Sequence, residues 1–264
     1  MLRFHQATCE LLGMPPVVDL PLRAAIAERE RRLGVKLPAS VAEWYSLPGA
    51  VNVLVGATDD HAMRIEELGE PFDGWGKGPR DLLEEGLLVI RTENQGVCNW
   101  AVRLDDGVDP RVLIEVDSEP DLVIWRLHAA SFSDYVLTLA WDRLAFGLPF
   151  GLAAQDSPLE RHDLALLERG FEQQDRTWGW PGHTNYRFER GEGRVIVWDG
   201  EGQADWWLFA PTAEALAGLA STLWSCGGLA SSLYAACRDP AVQDVAEEVL
   251  AALRAGQPGH GAAG

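Results

Sequence analysis

Apolar residues fall at helical spacing twice between Asp19 and Gly49. In the first run Leu22, Ile26 and Leu33 share a face with Ala25, and charged residues occupy the other side. Asp19 is placed to cap this helix, Pro21 is tolerated in its first turn, and Gly34 suits the left-handed position that closes it. Leu37-Pro38 opens the second run, where Val41, Trp44 and Tyr45 share a face, and Pro48-Gly49 ends it. Ahead of the pair, a short helix is expected from Phe4 to Leu12, closed by Gly13. After it, Val51 to Val55 reads as a short strand.

The period then shortens to two. Leu87 to Ile90 is a continuous apolar run, as in a strand buried on both faces. From Asn99 to Leu104, Trp100, Val102 and Leu104 alternate with Ala101 and Arg103. Val112, Ile114 and Val116 alternate with Leu113 and Glu115, and Leu122 to Leu127 forms the next strand. Polar turns at Asp105–Pro110 and Asp117–Asp121 separate them, which predicts an antiparallel meander with one solvated face. Ser131-Phe-Ser-Asp134 has the form of a capping box and opens a helix running to Phe146.

Beyond this helix, 147–156 reads as a linker, and the domain boundary is expected there, giving 1–150 and 151–264. Ser157-Pro158-Leu159-Glu160 predicts a second capping box, opening a helix that stops at Gly170. Strand candidates follow at Phe171–Trp178, Thr184–Glu189, Arg194–Trp198 and Asp205–Phe209, with glycine-marked hairpins between the last three. Thr212 caps a helix to Leu223, and Asp239-Pro240 opens a last one with Val242, Val245, Val249 and Leu253 on a stripe. The tail from Gln257 is expected to be disordered. The fold class is therefore α+β: an antiparallel meandering sheet with flanking helices, plus a C-terminal α+β portion. That portion is either a separate small domain or an elaboration of the first sheet.

The run Glu30-x-x-Leu33-Gly34-x-x-Leu37-Pro38-x-x-Val41-x-x-Trp44, ending at Gly49, resembles the opening signature of the SUKH superfamily. That superfamily includes the fungal Smi/Knr cell-wall regulators and many bacterial immunity proteins. Val41 stands where a tyrosine is usual, and Pro48-Gly49-Ala50 where Asn-Gly-Gly is usual. With the serine-phenylalanine-serine opening of the closing helix, the resemblance covers about Asp19 to Phe146. It implies a helical pair leading into an antiparallel sheet, and a non-enzymatic protein that binds and neutralises a toxin, often a nuclease.

Composition bears on the partner. The 264 residues carry a net charge of −18, so nucleic acid and anionic membranes are expected to be excluded as ligands and a basic protein partner is favoured. Between Asp59 and Glu85, nine acids face three basic residues, and between Asp105 and Asp121 seven acids face Arg111 alone. Glu66, Glu67, Asp73, Asp105, Asp106 and Asp109 are the candidate acidic contacts. Trp75, inside the glycine-rich Gly74–Pro79 turn, is the candidate aromatic anchor, unless it folds back onto the core. No apolar run approaches the roughly 20 residues that span a bilayer, and no signal peptide is evident at Met1, so a cytoplasmic location is expected.

Candidate chemistry is sparse. Cys9, Cys98, Cys226 and Cys237 lack metal or disulfide spacing, and neither a Gly-x-Ser-x-Gly elbow nor a phosphate loop is present. Asp59-Asp60-His61 suggests a metal site only if a further ligand completes it, and a solvated turn is the simpler reading. No catalytic residue, cofactor or metal is therefore expected. Trp178 to His183 either lines a groove or packs a corner, and of Trp206-Trp207 one side chain is expected to face outward. Besides toxin neutralisation, two functions stay open: an intracellular regulator or scaffold of the Smi/Knr type, and an enzyme acting on carbohydrate.

Overall fold

A computed structural model describes residues 1–56, 58–73, 79–119, 122–200 and 202–256. The chain divides into two compact units, Met1–Leu144 with Thr177–Trp180, and Ala145–Arg176 with Pro181–Gly264. Antiparallel sheets and helices make up both, so the fold is α+β.

The first unit begins with α1 (Gln6–Leu12), α2 (Leu20–Leu33), α3 (Ala39–Tyr45) and α4 (Val51–Leu54). Asp19 caps α2 by accepting the Leu22 N–H at 2.9 Å, and Gly34 closes it at φ 70°. The elbow to α3 is pinned by Glu30, whose carboxylate accepts the Leu37 N–H at 3.0 Å. Glu43 on α3 accepts the N–H groups of Arg3, Phe4 and His5, which fixes the approach to α1. Val41, Trp44 and Tyr45 are buried, as their spacing requires. The charged side of α2 is less uniform than the sequence suggests: Arg29 lies three residues beyond Ile26, on the same face, and is only 3% exposed, while Leu33 is half-buried.

Val51–Leu54 is helical, not extended. Ala50, Val53 and Leu54 are buried at i, i+3 and i+4, and this packing overrides the β-preference of the valines. The chain continues through β1 (His61–Ala62), β2 (Phe72–Asp73), β3 (Pro79–Arg80), β4 (Leu87–Thr92), β5 (Asn99–Arg103), β6 (Val112–Glu119) and β7 (Leu122–Ala129). The main sheet runs β1–β4–β5–β6–β7, and β2 pairs with β3. All of β4 is buried, and so is β5 up to Val102, including Ala101, whose face was expected in solvent. Exposure returns at the sheet edges, at His61 of β1 and at Leu127 of β7. α5 (Phe132–Phe146) follows, with Ser131 Oγ accepting the Asp134 N–H at 3.0 Å.

The second unit corrects the expected linker. Phe150–Pro158 is β8, an inner strand between Gln203–Ala210 on one side and Tyr234–Ala235 on the other. Its Leu152, Ala153 and Ala154 are fully buried, so the small residues reflect tight cover, not flexibility. At Gly151 a Cβ would stand 2.8 Å from the Ala236 carbonyl oxygen, which excludes any larger residue. The other elements are α6 (Arg161–Gly170), β9 (Glu172–Gln173), β10 (Thr177–Trp178), β11 (Thr184–Arg190), β12 (Gly193–Gly200) and β13 (Gln203–Ala210). α7 (Ala213–Leu223), α8 (Leu229–Ser232), β14 (Tyr234–Ala235) and α9 (Pro240–Ala255) complete the unit. The expected strand Phe171–Trp178 is thus two short pieces; β9 pairs with β11, and Trp178 of β10 belongs to the first unit.

The α6 cap lies three residues beyond the expected one: Asp163 accepts the Glu160 N–H at 2.9 Å, while Ser157 stays in β8, bonded to Ser232 at 2.8 Å. On α9 the buried stripe is Ala246 and Leu250, flanked by half-buried Val242, Val249 and Leu253, and Val245 is exposed. Trp206 is fully buried, and Trp207, on the opposite face, packs with Phe146, Trp198 and Phe209.

Candidate functional site

Topology sorts the acidic residues into two ends of the first sheet. β4 and β5 are antiparallel with Leu87 opposite Arg103, and the Leu104 N–H donates to the Gly86 carbonyl at 2.9 Å. The Asp81–Gly86 turn therefore lies beside the Leu104–Arg111 turn. β1 pairs His61 with Thr92 and Ala62 with Arg91, and the Met63 N–H reaches the Ile90 carbonyl, so the segment after it also runs toward the Leu87 end. Glu66, Glu67, Glu70, Asp81, Glu84, Glu85, Asp105, Asp106 and Asp109 thus gather at one end. Asp59, Asp60 and the paired strand ends Glu119 and Leu122 lie at the other.

Not every predicted contact is available to a partner. Glu66 is exposed, as is Glu84. Glu67 is partly buried; it accepts the Arg64 N–H at 2.8 Å and pairs with His61 at 3.3 Å. Asp105 meets Arg103 through two bonds of 2.8 Å, and Asp106 meets Arg111 at 2.8 Å. These arginines hold both carboxyls below the usual aspartate range, through hydrogen bonds first. Asp109 accepts the Ser133 N–H at 3.1 Å and so stabilises the start of α5. For Asp73 only the backbone is described, and Trp75 lies outside the described residues, as does Asp121.

Beside this acidic end is a cleft of about 200 Å³. Met63, Leu82, Leu83, Leu87 and Val89 form its apolar walls, and Glu67 and Glu70 stand at its margin. Glu70 is fixed by Arg29 at 2.6 Å, with Arg32 at 3.7 Å, and the Arg29 hydrogen bond lowers its pKa. Arg29 also donates from Nε to the Leu68 carbonyl at 2.7 Å, so a buried cation on α2 holds the loop that carries the cleft margin. Sequence reasoning counted Glu84 without selecting it and missed the cleft; its one trace is the Leu82-Leu83 pair inside an acidic stretch.

At the opposite end Asp60 corrects the reading of Asp59-Asp60-His61 as a solvated turn. Asp60 is 3% exposed and pairs with Arg91, which is 5% exposed. Arg91 also donates to the Tyr135 hydroxyl at 3.1 Å and lies 4.5 Å from the Trp100 ring centre. Burial pushes the Tyr135 phenol up to about 12, so it stays neutral beside the pair. Asp60 further accepts the Asn94 N–H at 3.0 Å, tying the β4–β5 turn to the loop ahead of β1. This network has the enclosed character of a structural pair.

In the second unit Cys226 sits against the Asp163 carboxylate, and burial raises its thiol to about 11, which disfavours the nucleophilic thiolate. Among the described residues no group of three or more His, Cys, Asp or Glu side chains could hold a metal ion. No described helix is long and apolar enough to cross a membrane. No family model, curated protein or solved structure matches the chain.

Proposed function

We propose that the chain is a non-enzymatic cytoplasmic binding protein that neutralises a basic toxin domain by covering it with the acidic end of the first sheet. The observation that carries this reading is the convergence of three separate stretches, at Glu66–Glu70, Asp81–Glu85 and Asp105–Asp106, beside an apolar cleft. An acidic surface speeds encounter with a basic one, and an apolar recess beside it supplies area that holds the complex once formed. A nuclease domain has to bind phosphate and so presents a basic face, which makes it the toxin class that fits best.

The Glu30-to-Trp44 signature adds support from the side of architecture. Glu30, Gly34 and Trp44 each have a physical task here: accepting the Leu37 N–H, closing α2 at positive φ, and filling the core. The resemblance to SUKH immunity proteins thus rests on residues that shape the helical elbow. The test is to mix the purified protein at equal molarity with a candidate toxin domain drawn from the neighbouring genes and to assay the toxin's activity. Inhibition with formation of a one-to-one complex is expected. Full toxin activity in the presence of excess protein would refute the proposal.

A further inference from the structure

We infer that the cleft between Met63 and Val89 seats a single apolar side chain of a protein partner, flanked there by lysine or arginine. The inference rests on the protein-binding reading above and specifies its recognition chemistry.

Size selects the occupant. At about 200 Å³ the cleft is smaller than the roughly 300–1,000 Å³ of small-molecule sites, so one side chain fills it. Its floor is preorganised: Leu87 and Val89 belong to β4, an inner strand held by β1 and β5, and the Met63 N–H is bonded to Ile90. A recess built on an inner strand costs little ordering when it is filled.

Charge selects what flanks that side chain. Glu70 at the margin is held ionised by Arg29 and Arg32, and Glu67 accepts the Arg64 N–H and meets His61 at 3.3 Å. Each carboxylate has further lone pairs for a cationic donor from outside. Glu66 and Glu84 add exposed negative charge nearby, while Arg29 is buried and committed to Glu70 and the Leu68 carbonyl. An apolar side chain next to an acidic group would meet like charge at this margin and is disfavoured.

The test is amide-shift mapping on the full chain with three capped tripeptides: Lys-Leu-Lys, Lys-Ala-Lys and Glu-Leu-Glu. Lys-Leu-Lys is expected to shift the amides of Met63, Leu82, Leu83, Leu87 and Val89 and to bind at least tenfold more tightly than Lys-Ala-Lys. Glu-Leu-Glu is expected not to bind. The variant Leu83→Lys, at a half-buried wall position, should remove the preference for leucine while keeping the folded spectrum. Equal binding of Lys-Leu-Lys and Lys-Ala-Lys would overturn the cleft as an anchor yet leave the acidic surface as a binding face. Shifts that map elsewhere, or no shift with any peptide, would also overturn it. So would the same amides moving with protein concentration alone, which would mean a second copy occupies the cleft.

Discussion

The Leu104 N–H donates to the Gly86 carbonyl at 2.9 Å, and this one bond sets two acidic turns side by side. Glu84 and Glu85 precede it on one strand connection, and Asp105 and Asp106 follow it on the next. Like charges placed together in this way destabilise the isolated fold slightly, and a partner of opposite charge relieves the repulsion. Arg103 and Arg111 neutralise the second turn, and Glu66, Asp81, Glu84 and Glu85 are exposed acids of this end outside it.

The Asp60–Arg91 pair predicts a large stability effect remote from the proposed interface. Asp60→Asn leaves a buried guanidinium without its counter-charge, which costs about 3–5 kcal/mol. Urea denaturation measures this. A loss below about 1 kcal/mol would show that Arg91 is solvated in the native protein. Gly56 guards the same pair: a Cβ there would meet an Arg91 guanidinium nitrogen at 2.6 Å, so Gly56→Ala is also destabilising.

Glu30 predicts a smaller effect on the elbow between α2 and α3. Glu30→Ala removes the charged acceptor of the Leu37 N–H, at a cost of about 1.5–3 kcal/mol. Trp44→Ala, deep in the core, costs about 3–5 kcal/mol. Thermal melts of the two variants should keep that order.

His5 predicts a pH dependence. It is fully buried, donates from Nε2 to the Ser40 carbonyl at 2.9 Å and packs against Trp44 and Phe132. Burial lowers its pKa, against opposing contributions from the Ser40 bond, Glu43 and Asp109. The unfolded chain therefore binds this proton more readily than the folded one. Its contribution to stability is complete above the unfolded value of about 6.5 and declines as pH falls below it toward the folded value. His5→Gln should flatten stability against pH in that window, as followed by urea midpoints.

Much of the fold is legible in the sequence because capping, glycine placement and long periodic runs act locally. Asp19, Gly34, Thr212 and Asp239 mark helix ends where the structure has them. The misreadings occur where tertiary packing decides. Val51–Leu54 carries strand-forming residues but has a helical burial pattern. Phe150–Pro158 has the composition of a linker because close cover on both faces demands glycine and alanine. The candidate site divides in the same way. The acidic composition of its segments is visible along the chain, but strand register determines which acids meet, and ion pairing determines which remain exposed. Asp60 and Glu66 are six residues apart and at opposite ends of the sheet, one buried with an arginine and the other in solvent.

The central claim is tested most directly by the association rate with a candidate basic toxin domain drawn from the neighbouring genes, measured by stopped flow at low and high salt for the native protein and for Glu66→Gln/Glu84→Gln. Both side chains are exposed, so the fold should be unchanged. The acidic-end account predicts that the double variant associates several-fold more slowly at low salt and loses part of its salt dependence, with dissociation little altered. An association rate and salt dependence equal to those of the native protein would contradict it.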